Sequence, residues 1–151
     1  MEIKVLAHGN TSQAKIDLLN NASEFYAKYL NITEFKHKVY ICVAPGLRKK
    51  DNVNGLCSRT GPKEISIAVD SSLPIPQLLT TLAHEMVHVK QYVRGQYRGI
   101  TSRNGKMKRI WLGKQYKVSY MKRPWEIEAF RRETELVTAL FATVTQKLEK
   151  S

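Results

Sequence analysis

The 151-residue chain predicts an α+β fold organised round one amphipathic helix, and three observations lead there. Residues 36–43 and 64–70 are short, β-branched and flanked by turn formers, which reads as strand. The longer stretches 11–30, 76–95 and 124–150 repeat their apolar residues at helical spacing. A hydrophobic content of 42%, at this length, suffices to bury one core without staples, so a single domain over residues 1–151 is expected.

The elements follow in order. Residues 2–7 form a first short strand. Residues 11–30 form a scaffold helix, with Ile16, Leu19, Ala22, Phe25, Tyr26 and Tyr29 on one side and Asn10 or Thr11 as its cap. Residues 36–43 make a strand in which His37 is a surface residue. Residues 44–63 are rich in turn formers and read as a loop or irregular hairpin. Residues 64–70 alternate cleanly, placing Ile65, Ile67 and Val69 on one face of the same sheet. Residues 108–112 and 115–120 form a small hairpin within a basic insert spanning 94–123. A long helix over 124–150 closes the chain. Cys42 and Cys57 have no zinc-knuckle spacing and are read as paired buried thiols with no role.

The central helix opens near Pro76, stops at Gly95 and carries His84-Glu85-Met86-Val87-His88, the H-E-x-x-H pattern. With 4 His in the chain, about 0.007 such matches are expected by chance. Positions four apart share a helix face, so both imidazoles can address one metal ion. Glu85 then stands beside a water polarised by that ion, as a candidate general base. Leu78, Leu79, Leu82, Ala83, Met86, Val87, Val89 and Val93 form the buried arc. His84 and His88 lie opposite it, towards water or a cleft.

A catalytic zinc takes a third protein ligand. His8 and His37 are far upstream, so the last helix is the source, through Pro124-Trp125-Glu126-Ile127-Glu128-Ala129. Its buried arc runs through Ile127, Ala129, Phe130, Leu136, Val137, Leu140, Phe141, Val144 and Leu148. Glu126 lies ~20–40° from the centre of that arc, whereas Glu128 points ~160° away. A carboxylate aimed inward needs a partner or a metal. Glu126 is therefore the expected third ligand, ahead of Glu128.

Net charge is +12, and much of the excess is local. From Met86 to Trp125 there is no Asp or Glu, while eleven Lys and Arg occur. Arg103, Lys106, Lys108, Arg109 and Lys114, with Trp111 among them, form a candidate DNA- or RNA-binding surface. No apolar run approaches the ~20 residues of a membrane span, and the N-terminus is too short and polar for a secretory signal. A cytoplasmic monomer is expected, in the host cytoplasm if phage-encoded.

HEMVH followed, after a basic Tyr- and Trp-containing insert, by PWEIEA resembles the small SprT-like zinc metallopeptidases of phages and bacteria. More broadly it is similar to minimal gluzincins, and the likeness spans roughly residues 54–133. It implies a zincin-like fold of scaffold helix, mixed sheet, active-site helix and glutamate helix. It also implies Zn²⁺ on His84, His88 and Glu126, and hydrolysis of peptide bonds in a protein or peptide substrate. In such folds the strand before the active helix edges the cleft, which assigns that role to Ile65–Val69. Tyr116, Tyr120 or an arginine of the insert remain open as the oxyanion donor. The competing reading is a basic nucleic-acid-binding module with a structural or inactive zinc site. The two are compatible in a peptidase acting on nucleic-acid-associated proteins.

Overall fold

The chain runs β1 (Glu2–Ala7), α1 (Gln13–Tyr29), β2 (Lys38–Ala44), α2 (Leu47–Asp51), β3 (Gly55–Gly61), β4 (Glu64–Asp70), α3 (Ile75–Val93), β5 (Tyr97–Thr101), β6 (Met107–Trp111) and β7 (Lys114–Tyr116), then a 3-10 turn (Tyr120–Lys122) and α4 (Pro124–Lys150). The computed structural model describes residues 1–150 and shows a mixed α+β architecture of four helices and two small sheets.

The larger sheet has the order β1-β2-β4-β3. β1, β2 and β4 run parallel, and β3 returns antiparallel on the outer side of β4. Val39, Ile41, Val43, Ile65, Ile67 and Val69 alternate inward and are fully buried, which is why these two strands were legible from their pattern. β3 has no such pattern. Its sequence, GLCSRTG, lies within the stretch expected to be a loop or irregular hairpin, and pairing with β4 holds it as a strand. A bulge between Arg59 and Gly61 supplies the irregularity.

α1 and α3 pack on the sheet through Leu19, Ala22, Tyr26, Leu78, Leu82 and Met86. The cap of α1 is Ser12, whose side chain accepts from Lys15 N–H, rather than Asn10 or Thr11. The buried Tyr26 hydroxyl donates to the Leu79 carbonyl, 3.1 Å away, and so ties the two helices together. α3 stops at Gly95, whose φ of +66° suits the left-handed residue past a helix end.

The basic insert is a three-stranded antiparallel sheet, β5-β6-β7, rather than a single hairpin. β5 carries no strand signal in its sequence, because YRGIT contains a glycine and lacks a sustained alternation. Leu112 and Gly113, both at positive φ, turn the chain from β6 into β7.

α4 departs from its expected burial. Ala129 and Leu136 are buried, but Ile127, Phe130, Phe141, Val144 and Leu148 are exposed. Val137 and Leu140 are the last of the helix's apolar residues to pack against the core. Its last turns extend past the layer that could cover them, so their apolar residues stay at the surface. Among the described residues, no helix is long and apolar enough to cross a membrane.

Candidate metal centre

Helical phase on α3 sets His84 and His88 one turn apart, with ring centroids 4.9 Å apart. The start of α4 crosses in front of them. Glu126 Oε1 lies 3.0 Å from His84 Nε2 and 3.0 Å from His88 Nε2. His84 and Glu126 are buried, and the His88 side chain is only 13% exposed. These three residues could hold a metal ion, since their ligand atoms all lie within 4.8 Å of one another.

The outer nitrogens of both rings are committed elsewhere. His84 Nδ1 donates to Glu133 Oε2 at 2.8 Å, and His88 Nδ1 donates to Gln91 Oε1 at 2.8 Å. In a neutral imidazole this leaves Nε2 as a bare lone pair. Two such lone pairs then face one carboxylate oxygen, which is repulsive unless a cation sits among them. Protons or a metal ion satisfy the arrangement, and outer-shell acceptors on Nδ1 are how metal-binding histidines are oriented.

Electrostatics agree with that geometry. Burial lowers His84, but hydrogen bonds to Glu126 and Glu133 outweigh it and push it up to about 9. Burial lowers His88 too, and the Glu126 hydrogen bond and the Glu85 charge carry it upward. Burial raises the Glu126 carboxyl, but the two imidazoles hold it well below the usual carboxylate range. Glu85 is buried beside the cluster, and that burial, opposed by both histidines, raises its carboxyl.

Glu128 is outside the cluster. It takes both its oxygens to Lys90 Nζ at 2.8 Å, and accepts a further bond from Gln91 Nε2 at 2.9 Å. Gln91 also donates to the Trp125 carbonyl, so Glu128 reaches His88 only through this amide. Helical phase expected Glu128 ~160° away from the buried side; instead both carboxylates meet α3, Glu126 at the two histidines and Glu128 at the buried Lys90 and at Gln91. Glu133 and Gln91 were missed, although each carried a periodicity signal: Glu133 is two turns past Glu126, and Gln91 one turn past His88.

The chain matches no protein-family model, no curated protein and no solved structure.

The cleft edge is a correction. Ile65–Val69 lies inside the sheet between β2 and β3, so the strand bordering the site is β3. Gly55 makes its approach possible, because a Cβ there would meet Thr81 Cγ2 at 2.7 Å and the Ala68 carbonyl oxygen at 3.0 Å. A cavity of about 630 Å³ opens on one side of His84 and Glu85, walled by Val53, Thr80, Thr81 and Phe130. A second, of about 320 Å³, opens on the side of the β5-β6-β7 sheet.

Tyr120 lines both cavities and donates its hydroxyl to Glu126 Oε1 at 3.1 Å. Burial, then the Glu126 charge, pushes that hydroxyl above the ordinary tyrosine value, which keeps it a donor. Tyr116 instead packs edge-on against Trp125, 6.3 Å between centroids, and lines neither cavity. Of the basic residues proposed for nucleic acid, Arg103, Lys106, Lys108 and Lys114 are exposed. Arg109 and Trp111 are half-buried on the inner face, and Trp111 is tilted against Trp125. Cys42 and Cys57 are free and half-buried, and Cys57 lines the smaller cavity as a thiol held neutral by burial and by Glu85.

Proposed function

We propose that this chain is a zinc-dependent metallopeptidase of the SprT-like, minimal gluzincin kind. The observation that carries the reading is the convergence of two imidazole Nε2 atoms on one Glu126 oxygen, next to a buried Glu85. Two imidazoles and one carboxylate are the donor set of a catalytic zinc, which leaves a coordination position for reactants. The mixed sheet with an antiparallel edge strand beside α3 fits the zincin architecture that the resemblance implies.

His84, His88 and Glu126 would hold Zn²⁺. Bound there, the ion would supply Lewis acidity toward the scissile carbonyl and the attacking water. Glu85 takes the proton from the attacking water and hands it to the leaving amine. Its raised carboxyl suits both halves of that task. Tyr120, protonated and at the same cavity wall, would turn its hydroxyl from Glu126 Oε1 to the carbonyl oxygen as negative charge grows there. An extended substrate adds to the free edge of β3. The test is Glu85→Gln, which should bind zinc at one ion per chain while cleavage of a casein-like protein falls ~10²–10⁴-fold. Wild-type turnover by that variant, or absence of zinc from the wild type under replete conditions, defeats the reading.

A second reading keeps one supporting observation. Arg98 and Lys108 are exposed on the outer face of the β5-β6-β7 sheet, and the insert carries no acidic residue. Nucleic acid held there would dissociate with rising salt, at a log–log slope of roughly 0.7 per contacted phosphate on a single strand. Because the Trp111 ring lies against Trp125, backbone contact rather than base stacking is the mode that surface offers.

A further inference from the structure

The smaller cavity holds two arginines that the peptidase mechanism does not use. Arg109 and Arg123 line it together with Tyr97, Trp125 and Leu56, and it opens directly onto His88 and Glu126. Neither guanidinium lies within ion-pair distance of a carboxylate among the described residues. Arg123 Nε is buried and has no hydrogen-bond partner. A buried donor of a charged group left unpaired is costly, so an acceptor entering the cavity would stabilise it.

Both arginines are held in place. Arg109 sits on β6 opposite Gly99, on the same face as Trp111, and its charge opposes the rise that burial gives the Tyr97 hydroxyl. The Arg123 carbonyl accepts the N–H groups of Glu126 and Ile127, both at 3.0 Å, so the turn that places Glu126 also places Arg123. Its guanidinium is 5.6 Å from the Tyr120 ring centroid. The charges in this lining are Arg109, Arg123, Glu85 and Glu126. A divalent cation on the cluster leaves the cavity with positive charge in excess.

We propose that the Arg109–Arg123 side of the cleft is a carboxylate subsite. A substrate would set a carboxylate against the two guanidinium forks while its peptide bond lies at the metal cluster. Its source is either an aspartate or glutamate side chain or the C-terminus of the peptide. This rests on the peptidase reading and names its substrate class. Planar guanidinium groups match a carboxylate in fork geometry, and the aromatic walls of Tyr97 and Trp125 suit the aliphatic stem that bears it. Nucleic acid fits less well. About 320 Å³ admits a side chain rather than a run of nucleotides, and the exposed Lys108 points to the opposite face of the sheet from Arg109.

The test measures binding, so it does not depend on turnover. Zinc-loaded Glu85→Gln protein is titrated with short blocked alanine peptides carrying one glutamate, each paired with its glutamine counterpart. A second pair compares a free C-terminal acid with its amide. One pair should show a preference of about tenfold or more for the acid, and which pair does so identifies the source. Arg109→Gln and Arg123→Gln should each reduce that preference at unchanged zinc content, with Arg→Lys versions keeping part of it. Equal affinities within both pairs, no binding of any peptide, or a preference surviving both substitutions would overturn the subsite. So would loss of single-stranded DNA binding in the same variants without any change in peptide affinity. If wild-type protein cleaves none of the peptides although the acid preference holds, the peptidase reading fails and the subsite stands.

Discussion

Glu126 and Glu133, two helical turns apart on α4, grip opposite nitrogens of the same imidazole. Glu126 Oε1 is 3.0 Å from His84 Nε2, and Glu133 Oε2 is 2.8 Å from His84 Nδ1. One helix thus provides both the inner carboxylate and the outer one that fixes the ring, so the site depends on how α4 docks on α3.

Glu133→Ala should weaken zinc binding by ~10–100-fold, the usual cost of losing an outer partner of a metal-binding histidine. Glu133→Gln should fall between it and wild type, because the amide oxygen still accepts from Nδ1–H but carries no charge. Competition with a chelator of known affinity measures both. An unchanged affinity in the alanine variant, with normal melting, would remove Glu133 from the site.

The two carboxylates near the start of α4 should separate cleanly. Glu126→Ala should lose more zinc affinity than any outer-partner variant. Glu128→Ala strands Lys90, whose side chain is only 7% exposed, and should destabilise the fold by roughly 3–5 kcal/mol with a smaller effect on zinc. Denaturant unfolding alongside metal titration distinguishes them, and a reversed order would place the ligand at Glu128.

Zinc affinity should climb with pH between about 6.5 and about 9. His84 is raised from 6.5 to about 9 by Glu126 and Glu133 against the effect of burial, so protons and metal compete for it over that window. The sign for the chelated protein is opposite. A folded-state value above the unfolded one means that the His84 contribution to stability is full below about 6.5 and is lost as pH rises through about 9. Melting curves of chelated and zinc-loaded protein across that range should therefore diverge with rising pH. Parallel curves would show that His84 is not a ligand.

Gly55→Ala should push β3 away from α3, since the new methyl collides with Thr81 and the Ala68 carbonyl. A stability loss of about 1–3 kcal/mol is expected from such overpacking, with peptidase activity falling further than stability alone explains. Zinc content should be unaffected, because β3 supplies none of the proposed ligands. Wild-type activity in this variant would show that the edge of β3 takes no part in substrate binding.

What the sequence determined by itself was local and periodic. Spacing of four along one helix placed His84 and His88 on one face, and the inward aim of Glu126 was legible, whereas Glu128 also turns to α3 and not away from it. Strand alternation marked β4 at its observed limits. Periodicity states which side of an element is apolar, but not what covers it. Ile127 and Phe130 were therefore expected in the core. Phe130 instead walls the larger cavity, with its ring 4.6 Å from that of His84. Only the tertiary structure decided that β3 rather than β4 borders the cleft, because that strand exists through its hydrogen bonds to β4 and not through its own composition. The same holds for Glu133 and the Arg109–Arg123 pair. Their partners lie on other elements or are still to arrive, and no spacing within one segment encodes a contact made between segments.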